Sequence, residues 1–171
     1  AARIAAEDPC VDKVCIWTPD KDLAQCVRDD RVVQVDRVTK KIRDAAEVRS
    51  RFGVDPPLIP DFLALVGDSA DGYPGIAGIG PVIAARMLRQ YGRIECLPDD
   101  ALGTRRELAL RFKALATLRN DAPLFVDVDA LRWRGPRTAF ASWAERMQAP
   151  RLVDRAVKAY ARTSRASGRV E

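Results

Sequence analysis

Two short acidic clusters carry the chemistry that this sequence offers. Asp20 and Asp22 flank Lys21 in Thr18-Pro19-Asp20-Lys21-Asp22, directly after a β-prone run at residues 11–18 (VDKVCIWT). The carboxyl end of a parallel strand is where α/β folds place their ligands. Two carboxylates there repel each other unless a cation sits between them. Either one can instead cap the short helix expected over residues 20–27. Asp68 and Asp71 form the second pair, in Gly67-Asp68-Ser69-Ala70-Asp71-Gly72. Their spacing lets both carboxylates converge from a tight turn, although Asp, Ser and Gly are also ordinary turn residues. Together the pairs supply hard oxygen ligands of the kind that suit magnesium or manganese.

The third feature is a glycine-rich hairpin, Gly75-Ile76-Ala77-Gly78-Ile79-Gly80, followed by Pro81 and an amphipathic helix. No strand precedes it and its spacing is wrong for a dinucleotide fingerprint. Gly78 and Gly80 let the backbone approach a partner, and the helix N-terminus adds amides that favour one phosphate. Arg86 and Arg89, a turn or two along that helix, are placed to touch flanking phosphates, contacts that carry no sequence information. A tight helix–helix turn without a ligand is the alternative.

What the chain lacks narrows the chemistry. It has no histidine, which excludes Ser-His-Asp and Cys-His triads, His-containing zinc sites and imidazole acid–base pairs. Catalysis would fall to carboxylates, lysines, thiols or bound metal. Cys10, Cys15, Cys26 and Cys96 form no CxxC pair and read as free thiols in a reducing cytoplasm. No apolar run approaches the roughly 18 residues of a membrane span. Aromatic residues are 6% of the chain and form no cluster in the sequence, which argues against a single-strand binder built on stacking. Charge is uneven. Residues 1–71 carry 11 basic and 14 acidic side chains, and residues 72–171 carry 18 and 10; a solvated basic surface accounts for this, and so would a DNA-binding metal enzyme with a basic helical half beside an acidic cluster.

The elements that must position these groups are legible in outline. A helical turn over residues 1–8 stops at Pro9, and strands are expected at 11–18, 31–36 and 41–44, the last two as a hairpin. Helices are expected over 45–52, closed by Gly53, and over 61–66, 81–90 and 104–118, the last with Leu108, Phe112, Leu115 and Leu118 on its apolar stripe. Residues 126–128 read as weakly extended, and residues 142–161 as helical pieces broken at Pro150. An α/β portion thus passes into an all-helical one near residue 55. The expected division is 1–55, 56–162 and a flexible polar tail at 163–171.

Three blocks in order, Thr18-Pro19-Asp20-Lys21-Asp22-Leu23-Ala24-Gln25, Leu65-Val66-Gly67-Asp68-Ser69-Ala70-Asp71-Gly72 and residues 75–88, resemble the 5′–3′ exonuclease family. That family includes the 5′-nuclease domain of bacterial DNA polymerase I and the flap endonucleases. Phe52-Gly53-Val54 and Leu118-Arg119-Asn120-Asp121-Ala122-Pro123-Leu124 resemble further family segments, so the similarity covers most of residues 11–130. The resemblance implies part of a PIN/resolvase-like parallel sheet followed by a helix-3-turn-helix (helix–hairpin–helix) domain.

It also implies an activity, the magnesium- or manganese-dependent hydrolysis of DNA phosphodiesters near 5′ ends or flaps. Two divalent ions roughly 4 Å apart would activate water and stabilise the leaving oxygen. Asp20, Asp22, Asp68 and Asp71 match the carboxylates of the family's second metal position. Residues 75–80 match the hairpin that grips duplex DNA, with a potassium ion on backbone carbonyls near Ile76 and Ile79. The first metal position, including a Glu-x-Asp-Asp block, and the helical arch with its Lys and Arg have no counterpart here. Ala77 and Val82 stand where the family often has lysine. The chain is therefore expected to be the C-terminal part of a longer nuclease acting in the bacterial cytoplasm on nucleoid DNA. Alone, it is expected to bind DNA weakly and cut poorly. The alternative is a non-catalytic helix–hairpin–helix DNA-binding module with a degenerate nuclease domain.

Overall fold

The computed structural model describes residues 1–167. After a short helix α1 (Ala2–Glu7), three strands form one small sheet in the order β1 (Val14–Trp17), β2 (Val32–Val35), β3 (Ile42–Arg43). β1 and β2 run parallel, with Val14 opposite Val32 and Trp17 opposite Val35. β2 and β3 are antiparallel, pairing Gln34 with Arg43. All four residues of β2 are buried, as a central strand covered on both faces requires. The segment between β1 and β2 is tighter than expected, a 3-10 helix at Asp22–Cys26 rather than an α-helix.

Helix α2 (Ala45–Phe52) has the ends that its sequence predicts. Asp44 accepts the Glu47 amide at 2.9 Å, and Gly53 closes the helix in the left-handed region at φ 73°. A 3-10 turn at Pro56–Leu58 leads into α3 (Ile59–Val66). Residues 59–65 of α3 are buried, because a helix that is apolar all round must be covered all round. The covering helices include α4 (Pro81–Tyr91) and α6 (Arg106–Ala116), the latter reached through a 3-10 turn at Ile94–Cys96 and α5 (Asp99–Leu102). Each fully buried Leu or Ile in this layer contributes about 1.5–3 kcal/mol.

The apolar stripe expected on α6 packs only in part: Phe112 lies against the core and Leu118 is partly buried. Leu108 and Leu115 are largely exposed, at 43% and 71%, whereas Ala109 and Ala116 are buried. The cause sits on α3. Asp61, only 1% exposed, accepts the Ile94 amide at 2.8 Å and pairs with Lys113 of α6, also at 2.8 Å. A buried carboxylate needs that partner. The ion pair fixes the rotation of α6, and its small alanines let the two helices approach.

The remaining helices are α7 (Ala139–Arg146) and α8 (Arg151–Ser167), separated near Pro150. Val126 to Val128 form no strand; a 3-10 turn spans Val128–Leu131. The tail expected from residue 163 begins as helix, since α8 continues to Ser167; residues 168–171 lie outside the described residues. Contacts divide the chain into two compact units, Ala1–Val128 and Asp129–Glu171, and the change from sheet to helix near residue 55 lies inside the first. All four cysteines are free.

Two pairs of variants test these constraints by urea denaturation. At Gly75, φ is +74° and a Cβ would lie 2.4 Å from the Gly67 amide nitrogen, so Gly75→Ala should cost about 3 kcal/mol. Gly78 has a similar φ of +83° but open space around it, so Gly78→Ala should cost only about 1 kcal/mol. Lys113→Met strands Asp61 and should cost about 3–5 kcal/mol. Glu95, the half-exposed second partner of Lys113, should tolerate Glu95→Gln at a cost below about 1 kcal/mol. Equal costs within either pair would contradict the assignment.

Candidate functional site

The end of β1 is shaped by two successive side-chain turns. Thr18 Oγ1 accepts the Asp20 amide at 3.2 Å, and Asp20 Oδ1 accepts the Asp22 amide at 3.1 Å. Neither aspartate caps the 3-10 helix, whose N-cap position is Lys21; Asp20 instead closes a side-chain turn onto the first residue of that helix, Asp22. Gln34, buried on β2, donates its side-chain amide to the Asp20 carbonyl. Gln25 bonds the carbonyls of Asp22 and Ala116 at 2.8 and 2.9 Å and accepts the Leu118 amide at 3.0 Å, tying this corner to the end of α6.

The second acidic segment turns on its own backbone. Asp68 and Tyr73 exchange both main-chain hydrogen bonds, at 2.9 and 3.1 Å. Gly67, at φ +94°, and Gly75 press against each other, and the Ile76 amide donates to the Leu65 carbonyl at 2.8 Å. No side chain fits at that crossing. The loop is thereby pinned to the end of α3, and Asp68 meets Lys21, whose Nζ lies 2.6 Å from Asp68 Oδ1. The same oxygen accepts the Ala70 amide at 3.0 Å.

The fold brings Asp22, Asp68 and Asp71 together. Each offers a carboxylate oxygen within 4.8 Å of the others, with Asp68 buried, Asp22 half-buried and Asp71 exposed. Asp20 is not in this group, although its charge is felt there. Burial, a hydrogen bond with Asp71 and repulsion from Asp71, Asp20 and Asp68 push the Asp22 carboxyl up to about 6. One of its oxygens, Oδ1, is buried without a hydrogen-bond partner. Asp68 shows the opposite balance. Burial favours its protonated form, but the Lys21 ammonium and the loop amides outweigh that and hold it below the usual carboxylate range. Burial, reinforced by Asp22, Asp68 and Asp71, raises the Tyr73 phenol far above its ordinary value. Its hydroxyl is buried and unpartnered, and its ring stacks on Phe112 with centroids 5.3 Å apart.

The hairpin presents backbone rather than side chains. Ile76 and Ile79 are buried, and the Ile79 amide bonds the Ile76 carbonyl at 2.9 Å. Gly78 and Gly80 are exposed at the tip, and Arg105 braces the tip through the Ala77 carbonyl at 2.8 Å. Arg86 and Arg89 project from α4 into solvent, in no ion pair among the described residues. Sequence reasoning did not single out Lys21, Tyr73 or Gln34. A visible signal existed for two of them: Lys21 stands between two aspartates, and Gln34 is the one polar residue in an otherwise all-valine strand.

The strain in the carboxylate cluster has a pH signature. Because the folded protein holds the Asp22 proton more tightly than the unfolded chain, stability should fall as pH rises from about 4 to about 7. In chelator, Asp22→Asn should therefore melt above the wild type at pH 7.5, and the difference should close by about pH 4. A difference independent of pH would remove the repulsion from this account.

Comparison with known proteins gives the family and the fold. Residues 54–139, half of the chain, match the family described as 5′-3′ exonuclease, C-terminal SAM fold. A 5′-3′ exonuclease of Aquifex aeolicus is 45% identical over 83 residues, 48% of this chain and 28% of that protein. DNA polymerase I of Bacillus caldotenax is 31% identical over 164 residues, 81% of this chain and 18% of that protein. The chain thus spans less than a third of the length of these relatives. Among solved structures, the T5 5′-exonuclease with bound zinc superposes with a TM-score of 0.56 at 22% identity, covering 61% of this chain and 43% of that one. The bacteriophage T5 D15 flap endonuclease, in a pseudo-enzyme-product complex with DNA and metal ions, gives a TM-score of 0.55 at 21% identity, with the same coverage. The sheet followed by packed helices is their fold. The chain belongs to the 5′-3′ exonuclease family, and residues 54–139 are its C-terminal SAM fold.

Proposed function

We propose that this chain is the metal- and DNA-binding part of a structure-specific 5′–3′ DNA nuclease, acting on cytoplasmic DNA in replication or repair. The observation that carries the reading is the convergence of Asp22, Asp68 and Asp71 from two distant segments onto one point. The donor set fits a divalent cation. All three ligands are hard oxygens, and the buried Asp22 Oδ1 has no protein partner. A magnesium or manganese ion there would offset the carboxylate repulsion and supply Lewis-acid stabilisation of charge on a phosphodiester.

The chain's own residues divide the remaining work. Asp22, Asp68 and Asp71 would hold the ion, and Asp20 acts mainly by fixing the Asp22 backbone while adding to the local field. Lys21 neutralises Asp68, so the cluster does not carry three uncompensated charges. Residues 75–80 bind the DNA backbone through exposed main-chain groups, with Arg86 and Arg89 on neighbouring phosphates. A potassium ion on the hairpin carbonyls belongs to the same proposal. In two-ion hydrolysis these carboxylates serve one ion position, so cleavage of a 5′ flap by the 171 residues alone should be slow. The zinc-bound and DNA-bound T5 proteins support this reading through their shared fold.

Calorimetry with manganese should show one site, which Asp22→Asn and Asp71→Asn each weaken at least tenfold. Duplex DNA binding should fall linearly on a log–log plot against salt. Arg86→Ala should lower affinity evenly across sequences and reduce that slope by about one. Undisturbed manganese binding in both Asp variants, or duplex affinity indifferent to salt, would overturn the proposal.

A further inference from the structure

The basic excess of this protein is not centred on the hairpin. Residues 72–128 carry 8 basic and 6 acidic side chains, whereas residues 129–171 carry 10 and 4. The second unit alone is therefore at +6, against +5 for the whole chain. The same unit gathers aromatic residues that lie far apart in the sequence. Phe140 and Trp143 stack with centroids 5.6 Å apart, and Trp133 meets Tyr160 edge-on at 5.8 Å. These rings are not a core. Among the hydrophobic side chains described in this unit only Ala144 is buried, while Trp133 and Trp143 are 46% and 41% exposed.

Two grooves run over these rings. One, of about 410 Å³, is lined by both tryptophans together with Pro136, Arg137 and Phe140. The other, of about 510 Å³, shares Trp133 and Phe140 and is edged by Arg155, Lys158 and Arg162 of α8. Among the described residues, no ion pair engages any of those four cations. Flat π-surfaces flanked by unpaired positive charge complement a chain that alternates planar rings with phosphates. An apolar protein surface would satisfy the rings but leave the cations without partners. A duplex would meet the cations but keep its bases stacked away from the rings.

We propose that residues 129–163 form a binding surface for single-stranded nucleic acid, with Trp133 and Trp143 stacking on bases and Arg137, Arg155, Lys158 and Arg162 on the phosphates. None of these residues belongs to the Asp22, Asp68 and Asp71 group, and the surface needs no divalent ion.

The test uses the full 171-residue chain in chelator with a fluorescein-labelled oligothymidylate, an oligouridylate and an abasic oligomer of the same length. The thymidylate should bind more tightly than the abasic oligomer by at least tenfold, and the uridylate arm decides between DNA and RNA as the source. Trp143→Ala should weaken thymidylate binding about tenfold, and Trp143→Phe should restore most of it. Arg155→Glu combined with Lys158→Glu should abolish binding at moderate salt.

A Trp17→Phe background leaves Trp133 and Trp143 as the only indoles, and their fluorescence should be quenched on adding the thymidylate even if other variants fold poorly. Equal affinity for the abasic oligomer, absence of quenching, or competition by an acidic peptide with a preference for it over the oligomer would each overturn the proposal. Manganese binding unchanged in the same variants would leave the nuclease reading intact.

Discussion

Everything in the first unit depends on one backbone crossing. The chain leaves α3 at Gly67, loops through Asp68 and Asp71, and returns at Gly75 so closely that neither glycine can carry a Cβ. The Ile76 amide then seals the loop onto the Leu65 carbonyl. Three consequences share this cause. Asp68 is held still enough to be buried, the hairpin is launched from the same point as the acidic loop, and α4 starts where its N-terminus can face the hairpin tip. A looser loop would keep the same residues and lose their alignment. The crossing is paid for by α3, whose buried apolar surface anchors both ends of the loop.

The acidic cluster is balanced rather than stable. Lys21 compensates Asp68, but Asp22 and Asp71 share a hydrogen bond that needs a proton, and Asp22 Oδ1 has nothing to bond. Buried unsatisfied oxygen atoms are uncommon in folded proteins because each costs free energy. Asp22 Oδ1 and the Tyr73 hydroxyl both lie beside the three carboxylates, an imbalance that a bound cation would offset. Tyr73 belongs to this balance from the hydrophobic side. Its ring closes the site against Phe112, while its hydroxyl stays protonated among three carboxylates.

Charge in this protein has two different forms. In the first unit it is local and paired: Asp61 with Lys113 holds helices together, and Lys21 with Asp68 holds the site. In the second it is one-sided: Arg132 pairs with Asp129, but Arg137, Arg155, Lys158 and Arg162 are in no ion pair among the described residues, beside exposed aromatic rings. A split of the chain at residue 71 puts hairpin and terminal helices into one basic half. The tertiary units separate them, and the positive charge goes with the helices from Asp129 onward.

The local signals in the sequence proved sufficient wherever a single residue sets the outcome. Asp44 and Gly53 bound α2, Pro81 starts α4, and the valine-rich β2 is buried on both faces. The spacing of Asp68 and Asp71 between glycines marked an acidic turn, and the ordered blocks carried the family. What the sequence could not decide was which of several equivalent residues a neighbour would select. Asp20 and Asp22 are alike as letters; only the fold spends one on a turn onto the Asp22 amide and leaves the other for the cluster. Leucine looks a better core residue than alanine, yet the Asp61–Lys113 pair turns α6 so that Ala109 and Ala116 face inward. Trp133, Phe140, Trp143 and Tyr160 form no pattern along the chain, and only the pairing of α7 with α8 gathers them. Local backbone preference acts within a few residues and is written in the sequence. Burial, ion pairing and ring stacking join groups far apart in the chain, so they are fixed only when it folds.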